Sequence, residues 1–354
     1  ETSGHALTVD DAIVKADTWL LDPDNIDITG DNTAATSGYS KIKASDIATA
    51  LNAGTSVTVS TTAATQVNQP GYKDTAGTGA GTATAGDGNI LVNAAIVKSG
   101  SNNASLTLLA DNGITVNQRI GRAAADTTSN GKLDVVMTAN GGVEGTSSKG
   151  IMLNNVIDAN GGVVTLTGTS KDTSGVQTGP NYTYGVTNNS RSGVVFNNGS
   201  GITADNYQVT GTHTVAAGNS FGVNGVYMNG AVTFKATGNT DSNITGNSNA
   251  QGNFGAGVTV WDGATVRLEN QGTGVTMLKG SNTNTAGGNG VRIGATNNNA
   301  VINAIGRVTL GQQTANTNAP IFIRSTINAS ENLAKLSGLR IVGQTEKNTS
   351  AVQI

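Results

Sequence analysis

Cysteine is absent from all 354 residues, which excludes a disulfide framework and thiolate-metal chemistry. Histidine is nearly absent too: only His5 and His213 could act as imidazole bases or ligands. Charge is sparse and balanced, with 20 Lys+Arg against 23 Asp+Glu and a net charge of −3. Nucleic acid is therefore not an expected partner, since it calls for clustered Lys and Arg. No apolar run approaches the roughly 18 residues of a membrane helix, so insertion by a helix is not expected. Helical patterning is missing as well, except from Ser45 to Gly54. There Ser45 reads as an N-cap, Asp46 as a first-turn acid, Ile47 and Leu51 as an apolar side, and Gly54 as the stop.

Glycine is what the chain has in abundance, with 49 residues. One series opens the same short phrase five times, at Gly150-Ile-Met-Leu, Gly193-Val-Val-Phe, Gly225-Val-Tyr-Met, Gly257-Val-Thr-Val and Gly290-Val-Arg-Ile. A second series closes a β-prone run at Gly168, Gly211, Gly246, Gly280, Gly311 and Gly343. Steps are 43, 32, 32 and 33 residues in the first series and 43, 35, 34, 31 and 32 in the second. The shared long step is explained by one insertion near residues 171–191. Self-similarity at this period marks a repeat architecture.

Residues after each opening glycine alternate, which places Val194 with Phe196, Val226 with Met228, Val258 with Val260 and Val291 with Ile293 on one inward side. A second run follows in each repeat and a third precedes the closing glycine. A unit of three short strands cannot bury its apolar side alone and must stack on its neighbours. The sequence thus predicts an all-β fold, a right-handed three-sided parallel β-helix, with a short helix near 45–53 and extrahelical loops. Glycines are expected at positive-φ corners. Residues 150–354 form regular repeats of about 32 residues, while 1–149 keep strand character with irregular coils and a flexible loop at 61–88, in one continuous solenoid. In 1–149, strands are expected at Ala6–Val9, Ile26–Ile28, Val57–Val59, Ile90–Val92, Leu106–Leu108, Ile114–Val116 and Leu133–Met137. The chain starts at Glu1 without a basic-apolar leader and stops just after Ala351-Val-Gln-Ile, so it is expected to be a segment of a longer protein.

The order Trp19-Leu-Leu-Asp-Pro-Asp-Asn-Ile-Asp-Ile28, then Ile47 to Thr61, Gly88 to Ile96 and Leu106 to Ile120, resembles modules of filamentous haemagglutinin-type exoproteins of two-partner secretion, in particular the high-molecular-weight adhesin type. The likeness covers about a third of the chain; residues 150–354 match only in general style. It implies export through an outer-membrane transporter, display on a bacterial surface and a host-cell receptor or glycan as partner, with the chain a monomeric segment of a longer fibre. Such proteins carry Asn-Pro-Asn motifs in their secretion domain, and this chain has no Asn-Pro pair, so it would lie downstream of that domain. The resemblance also implies that some Asn-x-Ser/Thr sites are glycosylated. Those sites are Asn103, Asn181, Asn188, Asn198, Asn243, Asn328 and Asn348, against the alternative that asparagines stack as ladders.

If Val226 and Met228 point inward, Tyr227 points out, and its coil-to-coil equivalents are Met152, Val195, Thr259, Arg292 and Phe322. These form a candidate binding stripe on one outer face; the alternative is that the insertion at 171–191, which carries Tyr182 and Tyr184, folds back over it. Trp261 sits just after a strand, at a corner, with packing and exposure both open to it, whereas Trp19 is expected to pack. Asp22, Asp24 and Asp27 are a weak candidate for a hard cation, against a turn that uses their carboxylates as caps. No cofactor and no catalytic cluster is expected. The functional expectation is a secreted adhesin segment presenting a binding surface. The alternatives are the passive shaft of a contact-dependent toxin-delivery exoprotein and a polysaccharide-active β-helix enzyme.

Overall fold

The computed structural model describes residues 2–3, 8–9, 18–22, 25–61, 88–126, 130–142, 144–145, 148–173, 192–214, 223–250, 255–283, 289–294, 300–311, 321–323, 325–330, 339–342 and 352–353. Among these residues every strand pairing is parallel and the strands fall into three sheets. Sheet A has eleven strands, from Thr2–Ser3 to Leu339–Val342; sheet B has twelve, from Thr8–Val9 to Val352–Gln353; sheet C has eight, from Ile96–Val97 to Ser325–Ser330. One coil runs Asn206–His213 in sheet A, Val226–Met228 in B and Ala231–Ala236 in C, then returns to A at Ser242–Ser248. This is a three-sided parallel β-helix. At about 4.8 Å per strand, eleven coils span on the order of 50 Å.

Apolar residues at alternate positions stack into columns inside the prism. Leu108, Met137, Leu166, Val209, Ile244 and Leu278 follow one another along sheet A. Val92, Val116, Leu153, Phe196, Met228, Val260 and Ile293 do so along sheet B. All are buried, as are the inward pairs that the sequence pattern gives. Phe196 meets Phe234 of sheet C edge-on, with ring centroids 4.7 Å apart. Each such side chain contributes about 1.5–3 kcal/mol of burial, so the column and not the single coil is the stable unit.

The first coils depart from the pattern. Strand Ser40–Lys43 lies between Thr8–Val9 and Ile26–Thr29 in sheet B, out of chain order. Helix α1, Ala44–Ala53, follows it and packs against Ile96–Val97, the first strand of sheet C. The helix buries Ala44, Ile47, Ala50 and Leu51, and Asn52 Oδ1 accepts from the amides of Ser99 and Gly100 at 2.8 and 2.9 Å. A sheet edge is thereby covered. Gly54 ends the helix at φ 93°, as expected, but Ser45 is not its cap: Lys43 holds that position, and Ser45 Oγ donates to Asp31 Oδ1 at 2.5 Å. The loop expected at 61–88 falls, apart from Thr61 and Gly88, outside the described residues, and so does 174–191 of the insertion.

Glycine has two different uses. Gly199, Gly230 and Gly263, at corners after sheet B, have φ of 80°, 74° and 77°, the positive values expected. The two periodic series mostly do not. Gly168, Gly211, Gly246 and Gly280 are absent from the positive-φ positions, as are Gly193, Gly225 and Gly257. They are instead where two backbones cross. A Cβ on Gly211 would lie 2.1 Å from the Gly225 carbonyl oxygen, and one on Gly246 only 1.9 Å from that of Gly257. Gly168 meets Gly193, and Gly280 meets Gly290, in the same way.

Candidate functional site

The stripe expected on sheet B is in register. Parallel pairing links Asp27, Leu91, Thr115, Met152, Val195, Tyr227, Thr259, Arg292 and Phe322 one after another without a slip. Its exposure is not as expected. Met152 is half-buried, but Val195, Tyr227, Thr259 and Arg292 are 1, 5, 0 and 4% exposed. No open patch is formed by these four side chains. The side chain of Phe322 lies outside the described residues.

The glycine crossings give the reason. Strands Val163–Ser170, Asn206–His213, Ser242–Ser248 and Thr276–Asn282 each run two residues past the crossing glycine. Their last residues, Ser170, His213, Ser248 and Asn282, are buried although they lie beyond the prism corner. The chain then comes back through Val223 and Asn224, or Ala250 and Ala256, which are also buried. A second, polar layer results. Thr259 Oγ1 donates to Asn224 Oδ1 at 2.7 Å, and the Ala256 amide donates to the same oxygen at 3.2 Å. Ser248 Oγ donates to Val223 O and accepts from the Ala250 amide, both at 3.1 Å. Asn282 Nδ2 donates to Ala250 O at 3.1 Å and Gly255 O at 3.0 Å. The buried polar atoms in these bonds satisfy one another, as a water-excluding layer requires.

Beside the middle of the stripe one side chain reaches solvent. Trp261 is half-buried, and its ring lies 5.9 Å from that of Tyr227, tilted by 40°. Burial, and then the charge of Asp262, push the Tyr227 phenol well above its ordinary pKa. The Tyr227 hydroxyl finds no hydrogen-bond partner among the described residues. Arg292 Nε donates to Gly294 O at 3.2 Å, just past the end of its own strand, Asn289–Ile293. The corner thus joins an indole, a buried phenol and a carboxylate, with a guanidinium in the next coil.

Asp27 is taken up by the fold. Its Oδ2 accepts from the amide and hydroxyl of Thr36 at 2.8 and 2.7 Å, and its Oδ1 accepts from Asn93 Nδ2 at 2.8 Å. From there an asparagine ladder climbs the corner after sheet B: Asn117 donates to Asn93 and Asn154 to Asn117, each at 2.7 Å, and Asn197 to Asn154 at 2.6 Å. Asp24 and the side chain of Asp22 lie outside the described residues. Among the described residues no three His, Cys, Asp or Glu side chains are grouped to hold a metal.

The glycosylation candidates divide by what their amide nitrogens do. Asn103 and Asn198 are exposed, and their Oδ1 atoms accept from Lys132 N and Ala231 N, both at 2.9 Å, which leaves Nδ2 unused by those bonds. Asn243 and Asn328 spend Nδ2 on Gln208 Oε1 at 2.8 Å and Asn303 Oδ1 at 3.0 Å. Asn181, Asn188 and Asn348 lie outside the described residues.

No helix among the described residues is long and apolar enough to cross a membrane. Comparison with protein-family models, with curated proteins and with solved structures finds no match in any of the three.

Proposed function

We propose that the chain is a segment of a secreted, surface-displayed bacterial adhesin, which extends and presents a binding surface for host cells or glycans and does no catalysis. The observation that carries this is the unbroken register of three parallel sheets, a rod whose side chains recur at fixed spacing. The likeness of residues 19–120 to filamentous haemagglutinin-type modules supports export by two-partner secretion and a place downstream of the secretion domain. The accessible corner beside the stripe, Trp261 against Tyr227, is the contact point this reading favours, because an indole beside a carboxylate offers a sugar both a stacking face and an acceptor. A second reading, the passive shaft of a toxin-delivery exoprotein, is favoured by the burial of Val195, Tyr227, Thr259 and Arg292.

A glycan array and a host-cell binding assay on the intact chain separate the two, with Trp261→Ala and a Tyr227→Ala, Arg292→Ala, Phe322→Ala triple variant alongside. Binding that is lost in Trp261→Ala supports the adhesin. Absence of binding to every glycan and cell type supports the shaft, and depolymerisation of a polysaccharide on the array would sink both.

A further inference from the structure

The outward face of sheet A carries a grid of threonines. Unbroken register through Leu133–Ala139, Val163–Ser170, Asn206–His213 and Ser242–Ser248 aligns Thr138, Thr167, Thr210 and Thr245 in one column. Thr169 and Thr212 form a second column two residues along, and Thr165 flanks the first on its other side. Neighbours within a column stand about 4.8 Å apart, and columns about 6.6 Å apart. All seven side chains reach solvent, six of them half-buried and Thr167 exposed.

Other polar residues of this face bond to each other. Asn243 Nδ2 donates to Gln208 Oε1 and Ser281 Oγ to Asn247 Oδ1, both at 2.8 Å. Gln208 Nε2 donates to Asp241 O at 2.9 Å. The seven threonine hydroxyls enter no such bond among the described residues, so they are free for whatever lies above the sheet. Each is β-branched and stiff at χ1, which fixes a methyl and a hydroxyl at every grid point. No charge interrupts the grid; Lys279, paired to Thr245, ends its central column. No aromatic ring belongs to it either, since Tyr207 and Phe234 point into the core.

We propose that this grid binds ice. An ordered ligand with a two-dimensional repeat is what an uncharged, two-dimensionally repeating array can match, and oxygen rows on ice faces repeat at nearly the spacing of adjacent strands. Hydroxyls without protein partners take lattice positions, while the methyls between them keep the intervening water ordered. A sugar polymer would call for rings to stack on or converging polar groups, and the grid has neither.

Ice recrystallisation inhibition and thermal hysteresis, measured on the intact chain, test this. The unmodified chain is expected to arrest crystal coarsening at low micromolar concentration or below, and a Thr167→Tyr, Thr210→Tyr double variant to need at least an order of magnitude more protein. Thr265→Tyr, on the exposed face of sheet C, is expected to match the unmodified chain. Thr210→Lys alone serves if the double variant fails to refold by circular dichroism. Activity no greater than that of an unrelated globular protein overturns the proposal, and leaves the threonines as good strand formers only. Full activity in folded grid variants overturns it equally, as does adsorption to crystalline cellulose without any effect on ice.

Discussion

Sheet A crosses sheet B in some coils and stops short of it in others, and one column of residues marks the difference. Where the column holds Ala110 and Ala139, the strands end at that residue. Where it holds Gly168, Gly211, Gly246 and Gly280, they run two residues further. The outer face of sheet B follows suit: Thr115 and Met152 are half-buried in the first group, and Val195, Tyr227, Thr259 and Arg292 are buried in the second. A methyl group thus decides whether a coil has one buried layer or two. With it, two backbones cannot touch; without it, they cross and the strand folds its end over its neighbour sheet.

The crossing itself is the most sensitive point. Gly246→Ala puts a Cβ 1.9 Å from a backbone oxygen that no rotamer change can move. It is expected to cost more than about 3 kcal/mol, or to expose the stripe of its coil; urea melts and a tyrosine or tryptophan fluorescence shift at Tyr227 and Trp261 read both. The reverse change, Ala139→Gly, is expected to cost only about 0.5–1 kcal/mol, through added freedom of the unfolded chain, if the strand still stops there. A larger loss would mean that Ala139 does more than end a strand.

Between these lies the second layer. Asn224→Ala leaves the Thr259 hydroxyl and the Ala256 amide buried without their acceptor and is expected to cost about 1–3 kcal/mol. Thr259→Ala should couple to it in a double-mutant cycle. Asn198→Ala, at an exposed site, should lie within about 0.5 kcal/mol of the parent by the same melts.

The smallest effects are of pH; they have the same sign in the two regions but fall in different pH ranges, acidic in one and alkaline in the other. In the crossing coils Glu269 is largely buried, which alone would raise its pKa, but hydrogen bonds from Arg267 and Gln271 and the charges of Arg267 and Lys235 outweigh this and hold it below the ordinary value. Its folded pKa being lower than its unfolded one, its contribution is complete above the ordinary glutamate range and fades as pH falls through the folded value. In the early coils the buried Lys98 donates to Gly100 O at 2.5 Å, and burial lowers its pKa. The unfolded chain then binds more protons below the ordinary lysine range, so stability rises with pH there. Hydrogen exchange is expected to loosen Thr265–Asn270 first on acidification. Lys98→Met is expected to flatten the alkaline rise near Ile96–Val97.

Much of this fold was legible because each coil repeats the same alternation: the inward pairs from Val194–Phe196 to Val291–Ile293 and six of the seven early strands stand where the pattern put them. The seventh, at Ala6–Val9, is described only at Thr8–Val9. Strands Thr2–Ser3, Thr18–Asp22, Ser40–Lys43, Ile96–Val97 and Ile120–Gly121 are not marked by the pattern, three of them being too short to alternate. Both glycine series were visible, yet sequence alone does not tell a glycine required by φ from one required by contact. The stripe's register followed from the repeat, whereas its burial depends on backbone crossings between the two glycine series, which the alternation of side chains does not encode. The asparagine ladder had an unused signal, since Asn93, Asn117, Asn154 and Asn197 each directly follow a sheet B strand.

Because the chain has no cysteine, single thiols can be placed at will. The most direct measurement is the labelling rate of Met152→Cys, Val195→Cys and Thr259→Cys with a small maleimide under native conditions. Rapid labelling at 152, with strong protection at 195 and 259, is the result that two layers in the glycine coils and one in the alanine coils requires. Equal, rapid labelling at all three positions would contradict it.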